Sequence, residues 1–283
     1  MNTQPALFLS HGSPMLALEP GATGPFLQAL GPAIDASFGR PRAILAVSAH
    51  SLAREPALLA AAQHKAVYDF GGFPDALYQL QYNAPGAPAL AATVQGLLSK
   101  AGWPVHSVNE GGLDHGIWSM LRFMYPAADI PVLPLAWVPN LPPAQQFALG
   151  VALASLRAQG VLVMGTGSIT HNLRRVFGGG RPATDAKEIP ESAAFRHWVH
   201  DRSTARDWDA LFDYRNRAPH AQDMHPTDEH LLPWYVAAGA GGREAVPQRL
   251  HESVTYGCLG MDVYAFGPEA GVLNTALAPA QLT

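Results

Sequence analysis

The stretch Pro5-Ala-Leu-Phe-Leu-Ser-His-Gly-Ser-Pro14 predicts a short buried strand that ends at a histidine. Its apolar run, residues 6–10, is too short for a helix and suits a strand that is buried on both faces. His11 follows at once, and the Gly-Ser-Pro sequence after it turns the chain. Because ligands of α/β sheets bind at the carboxyl ends of the strands, His11 is placed where such a site forms.

The same arrangement is written twice more along the chain. It recurs in Ala43-Ile-Leu-Ala-Val-Ser-Ala-His50 and in Val161-Leu-Val-Met-Gly-Thr-Gly-Ser-Ile-Thr-His171. Each stretch is an apolar strand followed by small residues and then a histidine. Imidazole nitrogen is a common metal ligand, so three strand ends that each deliver one predict a single metal-centred pocket.

Composition restricts the class of protein. The 283 residues are 48% hydrophobic and 14% charged, which is typical of a compact globular protein and excludes a disordered chain or a coiled coil. The formal net charge of −4, without a Lys/Arg run, argues against a nucleic-acid groove. Twelve histidines exceed the usual number for this length, and metal binding is one reason for such an excess.

The compartment expected from the sequence is the cytoplasm. A single cysteine, Cys258, allows no internal disulfide and suits a reducing environment. No charged segment precedes the first apolar run, which is too short for a signal peptide. No stretch approaches the length of a membrane span.

Strands and helices alternate along the chain. Helices are predicted at residues 24–38, 87–101, 117–125, 144–159 and 189–203, and strands at 43–48, 58–62, 104–108, 130–137, 254–256 and 261–266. This order predicts an α/β fold with a central, largely parallel sheet flanked by helices and a metal site at the carboxyl strand ends. Without a repeat or a long linker, residues 1–283 are expected to form a single catalytic domain.

Two further stretches carry histidines in turns. In Leu113-Asp-His-Gly116, His115 is a fourth candidate, and Asp114 could orient an imidazole, although adjacent side chains often point apart. In His225-Pro-Thr-Asp-Glu-His230, the spacing of five does not put both imidazoles on one helix face. Thr227 is predicted to cap a short helix with His230 in its first turn and Pro233 bending it. His230 is therefore the better-fixed candidate.

The remaining histidines receive ordinary core or surface roles: His64, His106, His197, His200, His220 and His251. Val67-Tyr-Asp-Phe-Gly-Gly-Phe-Pro74 places two phenylalanines around paired glycines and predicts a shaped loop. An ordinary aromatic-packed turn is the alternative.

Taken together, these residues resemble the class III extradiol ring-cleavage dioxygenases, in the branch of the DOPA 4,5-dioxygenases. The matching stretches run in the family's order over nearly the whole chain: Phe8-Leu-Ser-His-Gly-Ser-Pro14, Val47-Ser-Ala-His50, Asp69-Phe-Gly-Gly-Phe-Pro74, Asp114-His-Gly116, His171-Asn-Leu173 and Pro226-Thr-Asp-Glu-His-Leu-Leu-Pro233. The resemblance implies a single α/β domain around a central sheet.

The resemblance also implies roles for the site residues. The implied metal ligands are His11, His50 and His230. His171 is implied beside the metal, as the acid/base that meets the substrate or as a fourth ligand when the site is empty. His115 is implied as a catalytic pocket residue that contacts substrate or oxygen. Three further residues are expected at the substrate, with the two phenylalanines walling its ring: Phe70, Phe73 and Asp114.

The expected function is an Fe(II)-dependent extradiol dioxygenase that cuts the ring of a DOPA-like catechol with O₂. Non-haem iron oxygenases commonly use two histidines and one carboxylate, whereas three neutral imidazoles are expected here. A deprotonated catechol would supply the missing negative charge. Three imidazoles also suit Zn(II), so zinc could occupy the same site.

Two alternatives remain open at this point. One is a zinc hydrolase with His171 as general base, although the sequence has no His-Glu-x-x-His helix. The other is a non-enzymatic interaction protein on the same fold, which the presence of all four strand-end and turn histidines disfavours. The oligomeric state, the natural catechol and the role of His225 are left open.

Overall fold

The computed structural model describes residues 3–180 and 182–278. Within them the chain forms twelve strands: β1 (Ala6–Ser10), β2 (Ala43–Ser48), β3 (Ala57–Leu59), β4 (Gln63–His64), β5 (Ala84–Pro85), β6 (His106–Val108), β7 (Val132–Ala136), β8 (Val161–Gly167), β9 (Gln248–His251), β10 (Val254–Thr255), β11 (Leu259–Gly260) and β12 (Val263–Phe266).

The same residues form twelve α-helices: α1 (Thr23–Phe38), α2 (Asp75–Tyr78), α3 (Pro88–Lys100), α4 (His115–Met124), α5 (Pro143–Leu153), α6 (Leu173–Phe177), α7 (Pro190–Thr204), α8 (Trp208–Phe212), α9 (Tyr214–Arg217), α10 (Ala221–Met224), α11 (Leu232–Gly241) and α12 (Ala270–Leu277). Two 3₁₀ segments are added at Pro14–Ala17 and Ala154–Gln159. None of the helices in the described part of the chain has the length and apolar character that crossing a bilayer requires.

Eight strands form the main sheet, in the order β6-β3-β7-β2-β8-β1-β12-β9. The four central strands, β7, β2, β8 and β1, are mutually parallel. Antiparallel pairing occurs toward the edges, between β3 and β7, between β1 and β12, and between β12 and β9. The predicted single α/β domain with a largely parallel central sheet is confirmed.

Helices cover both faces of this sheet, which explains why the central strands are apolar at nearly every position. In β1, Phe8 packs into the layer that contains α3, α5 and α11. Its neighbours Leu7 and Leu9 pack into the opposite layer, with α1, α4 and α12. Successive strand side chains point to opposite faces, so both sets are buried at once.

The register of the central strands brings their carboxyl ends to one edge of the sheet. Strand β8 lies between β1 and β2, with Ser10 paired to Gly167 and Ser48 to Thr166. The next residues of all three strands therefore emerge side by side. This edge is the one at which the sequence predicts the metal pocket.

The region before α11 differs from its prediction. The prediction of a short helix that is capped by Thr227 and bent at Pro233 is wrong. Helix α11 begins only at Leu232, and Pro233 lies in its first turn. Proline fits that position, since its fixed φ suits a helix and its missing N–H leaves no bond unmade. The Thr227 hydroxyl bonds the Glu229 carboxylate instead of capping a backbone N–H. His230 consequently lies in the turn that precedes the helix.

Helix α11 itself was not predicted, and it is buried along its whole length. A helix that is apolar on every side shows no 3.6-residue alternation, so the sequence carries no amphipathic signal for it. Glycines let it approach α5 closely: a Cβ at Gly239 would lie 2.0 Å from the Phe147 carbonyl oxygen. The central position of this helix places the His230 turn against the sheet edge.

Candidate metal centre

Three imidazoles converge at the carboxyl edge of the sheet. His11 directly follows β1, His50 follows β2, and His230 comes from the turn before α11. One ring nitrogen from each lies within 4.8 Å of the others. His11 Nε2 and His50 Nε2 are 3.1 Å apart. The fold thus brings His11 together with His50 and His230, which follow it in the chain by 39 and 219 residues.

The outer nitrogen of His11 is held by a hydroxyl. His11 Nδ1 lies 2.9 Å from Thr166 Oγ1. That hydroxyl donates its own hydrogen to the Gly116 carbonyl oxygen, also at 2.9 Å. Thr166 therefore accepts from His11, which places the imidazole proton on Nδ1 and leaves Nε2 with a free lone pair.

Carboxylates hold the outer nitrogens of the other two imidazoles. His50 Nδ1 lies 3.4 Å from Asp69 Oδ2, and His230 Nδ1 lies 3.2 Å from Glu229 Oε1. A carboxylate only accepts, so it favours the proton on Nδ1 in both rings. This outer contact is the usual way in which proteins orient a metal-ligating histidine.

The centre of the cluster contains acceptors without a donor. His11 Nε2 and His50 Nε2 face each other as lone pairs, and His230 Nε2 is buried with no hydrogen-bond partner among the described residues. Protonation does not resolve this arrangement, because burial and then the neighbouring imidazoles lower the pKa of His11 and His230 well below 6.5. Burial, reinforced by His115, lowers the pKa of His50 to about 4. Three neutral nitrogen donors around one point fit a divalent metal ion.

His171 lies beside this group and outside it. Its ring stacks on His230 with 3.4 Å between centroids and 6° between planes. Burial and the neighbouring His230 lower the pKa of His171 well below 6.5, so the ring is neutral. Of the four ligands named from the sequence, the structure groups His11, His50 and His230 and places His171 flat against one of them.

Backbone hydrogen bonds fix the turn that carries His171. The His171 amide donates to Met224 O at 2.8 Å, and the Ser168 amide donates to His230 O at 2.9 Å. His225 is fully buried, and its Nε2 lies 2.7 Å from Ile169 O. The role left open for His225 is therefore structural: it ties the His171 turn to the segment that leads to His230.

His115 closes another side of the site as the first residue of α4. Its ring centroid lies 4.0 Å from that of His50 and 5.2 Å from that of His11. Asp69 Oδ1 accepts hydrogen bonds from both His115 Nδ1 and the His115 amide, each at 3.0 Å. Asp69 begins one of the family-like stretches, and the sequence predicts no role for it. Its position directly before Phe70 was the available signal.

Asp114 has partners different from those expected. Its two carboxylate oxygens accept hydrogen bonds from Ser48 and Ser51, each at 2.6 Å. The side chain is buried, and it contacts the residues on either side of His50 rather than an imidazole. Asp114 therefore ties the start of α4 to the segment after β2. The carboxylate that contacts His50 and His115 is Asp69.

The predicted aromatic loop forms a wall next to His115. Phe70 meets the His115 ring edge-on at a centroid distance of 5.5 Å. Phe73 packs on Phe70 at 5.4 Å and on Phe177 at 6.5 Å. Phe70 is thus the nearer of the two to the imidazoles, with Phe73 behind it.

Comparison with known proteins identifies the family. The family described as the catalytic LigB subunit of aromatic ring-opening dioxygenase matches residues 5–267. The chain belongs to this family. It is therefore an extradiol ring-cleavage dioxygenase that acts on a small molecule, as the resemblance implied.

Individual LigB relatives agree over almost the full length. The chain is 36% identical to the 4,5-DOPA dioxygenase extradiol of Beta vulgaris, over 94% of this chain and 97% of that protein. It is 38% identical to the protein of the same name from Escherichia coli K12, over 91% and 92%. The crystal structure of an uncharacterized Escherichia coli K12 protein superposes with a TM-score of 0.76 at 32% identity, covering 93% of this chain and 100% of that one.

A glycine on α4 makes room for His11, one of the three converging imidazoles. A Cβ at Gly116 would lie 2.9 Å from His11 Nδ1 and 2.8 Å from Ser48 Oγ, both closer than van der Waals contact. Gly116→Ala is expected to displace His11 and destabilise the protein. Overpacking costs about 1–3 kcal/mol, which exceeds the gain of at most about 1 kcal/mol from a better helix former. Urea unfolding of the metal-free protein measures the stability change.

Gly96→Ala is the matched control for this substitution. Gly96 lies inside α3, and a Cβ there meets nothing within 4 Å. The same glycine-to-alanine change should therefore stabilise the protein by about 0.5–1 kcal/mol. Equal stabilisation by both alanines would contradict the tight packing inferred around His11.

Proposed function

We propose that this enzyme is an Fe(II)-dependent extradiol dioxygenase that opens the ring of a DOPA-like catechol with O₂. The observation that carries the proposal is the convergence of three neutral, acceptor-only nitrogens from His11, His50 and His230. Two further imidazoles and an aromatic wall flank that point, which a metal site with a purely structural role would not need. The substrate class is supported by the relatives from Beta vulgaris and Escherichia coli K12, both of which are named 4,5-DOPA dioxygenase extradiol.

Ferrous iron, when held by these three histidines, supplies the one-electron redox chemistry that allows O₂ to react with an aromatic ring. The three ligands contribute no negative charge of their own. A catechol that has lost protons is therefore a better partner for this site than a neutral phenol. This preference is a property of the donor set rather than of the pocket shape.

The chain's own side chains would prepare the substrate. His171 is neutral and lies outside the ligand group, so its imidazole can accept a proton from a catechol hydroxyl and return it later. His115, whose ring centroid lies 4.0 Å from that of His50, would contact the substrate or oxygen. Phe70 would pack against the ring and exclude water from it. In the overall reaction, one ring C–C bond beside the two hydroxyls breaks and both oxygen atoms enter the product.

Metal exchange tests this function directly. The metal-free enzyme, loaded anaerobically with iron and then given O₂ and a catechol, is expected to consume oxygen and form a coloured ring-opened product. The zinc-loaded enzyme should do neither, because Zn(II) has no redox chemistry. Oxygen uptake across a panel of catechols measures both activity and preference. Ester or amide hydrolysis by the zinc form, without oxygen uptake by the iron form, would establish the hydrolase instead.

The cytoplasm is the compartment we propose for the enzyme. Cys258 is buried, and a reducing compartment suits both a free thiol and an iron ion that must remain ferrous. Cell fractionation followed by immunodetection would show whether the protein resides there.

A further inference from the structure

One carboxylate contacts two of the site's imidazoles. Asp69 lies on the loop between β4 and α2, directly before Phe70. Its Oδ1 accepts from His115 Nδ1 and from the His115 amide, each at 3.0 Å, and its Oδ2 lies 3.4 Å from His50 Nδ1. Each of the two carboxylate oxygens therefore faces the Nδ1 atom of a different imidazole.

This geometry determines which nitrogen of each ring carries a proton. A carboxylate has no hydrogen to donate, so both Nδ1 atoms that face it must be donors. His50 is left with a free lone pair on Nε2, the atom that lies 3.1 Å from His11 Nε2. His115 is likewise left with Nε2 as an acceptor, available to a hydroxyl group in the pocket.

We propose that Asp69 is a positioning residue that sets the tautomers of the metal ligand His50 and the pocket residue His115 together. The inference deepens the proposed function and rests on it, because a tautomer matters to catalysis only if His50 holds a metal. The backbone contact to the His115 amide adds a second constraint, since it anchors the Asp69 loop to the first residue of α4. Binding of metal and orientation of the substrate-facing imidazole thus depend on the same side chain.

The distribution of charge around the centre supports this role. Iron sites of this type commonly include one carboxylate ligand, whereas this site has only imidazoles at its centre. Its carboxylates contact the outer nitrogens of the ligating rings instead: Asp69 lies against His50 Nδ1, and Glu229 lies against His230 Nδ1. Hydrogen bonding to such an outer carboxylate raises the basicity of the ligating nitrogen. Asp69 is distinguished from Glu229 because it also holds an imidazole outside the ligand group.

Asp69→Asn is the informative substitution. The amide has nearly the same shape, but it offers an acceptor on one edge and a donor on the other. One of the two imidazoles must then face an N–H group and move its own proton to Nε2. Loss of an outer carboxylate of this kind typically lowers metal affinity about 10- to 100-fold. We expect that loss for Zn(II), measured by chelator competition, and a fall in kcat larger than any change in KM when the variant is saturated with iron.

Asp75→Asn is the matched control. Asp75 is an exposed acid in the first turn of α2, six residues after Asp69. Its substitution removes the same negative charge, but Asp75 has no imidazole partner in the described structure. It should retain wild-type zinc affinity and kcat. An equal loss in both variants would mean that the effect is general electrostatics, and the positioning role would be wrong.

¹⁵N NMR of protein with labelled histidine rings distinguishes the two tautomers directly. Wild-type protein should show His115 protonated at Nδ1, and Asp69→Asn should shift His115, His50 or both toward the Nε2–H form. Unchanged tautomers in the variant, or an Nε2–H form of His115 in the wild type, would overturn the inference. Failure of the wild-type enzyme to bind metal or consume oxygen would instead count against the proposed function, and the His115 tautomer could still be read.

Discussion

Replacement of His230 by alanine is expected to abolish stoichiometric metal binding and, with it, oxygen consumption. His230→Ala leaves only His11 and His50 as donors, and two neutral nitrogens do not hold a divalent ion against water. His11→Ala and His50→Ala should have the same effect, because each of the three residues supplies one of the nitrogens that lie within 4.8 Å of one another. Elemental analysis after reconstitution and dialysis measures the metal content of each variant.

His106→Ala is the control for adventitious binding by surface histidines. His106 is exposed on β6, an outermost strand of the main sheet that is three strands away from β2. Its removal should leave one metal ion per chain. Stoichiometric metal in all three ligand variants would show that the converging nitrogens are not the binding site.

His171→Ala is expected to separate proton transfer from metal binding. The variant should retain most of its iron and still bind catechol, while its turnover falls by about 10²- to 10⁴-fold, the usual contribution of a general acid/base. The ring stacks on His230 without joining the ligand group. The turn around it is held by the hydrogen bond that the His171 backbone N–H donates to Met224 O, and alanine preserves this bond.

The decisive comparison is between His171→Ala and His230→Ala. Iron content and the catechol-binding spectrum are measured for both variants under the same conditions. If His171→Ala loses iron as severely as His230→Ala does, His171 is a ligand. The proton-transfer role would then pass to His115, the next imidazole in the pocket.

Much of the architecture follows from local sequence alone. Strands β1, β2 and β8 are apolar runs of strand length, and burial on both faces demands such runs whatever the rest of the chain does. His11 directly follows β1 and His50 lies two residues after β2, so their meeting at one edge of a parallel sheet is also a local consequence. His230 was only a candidate from its residues, and the family resemblance singled it out as a ligand.

Other features arise only when distant segments pack together. The contact between Asp69 and His115 joins residues 46 apart, and the hydrogen bond from Ser48 to Asp114 joins residues 66 apart. Spacing in the chain predicts neither, because a hydrogen bond depends on positions that many other contacts determine. Adjacent Asp114 and His115 accordingly point to different partners.

The sequence by itself therefore determined the fold class, the edge of the sheet at which the site forms and two of the three histidines that converge there. Those features depend on hydrophobic periodicity and strand ends, which are properties of short segments. Tertiary structure decided where His230 sits, because α11 is apolar all round and gives no periodic signal for where it begins. It also decided which acid supports which imidazole: a carboxylate's role depends on the direction in which packing points it.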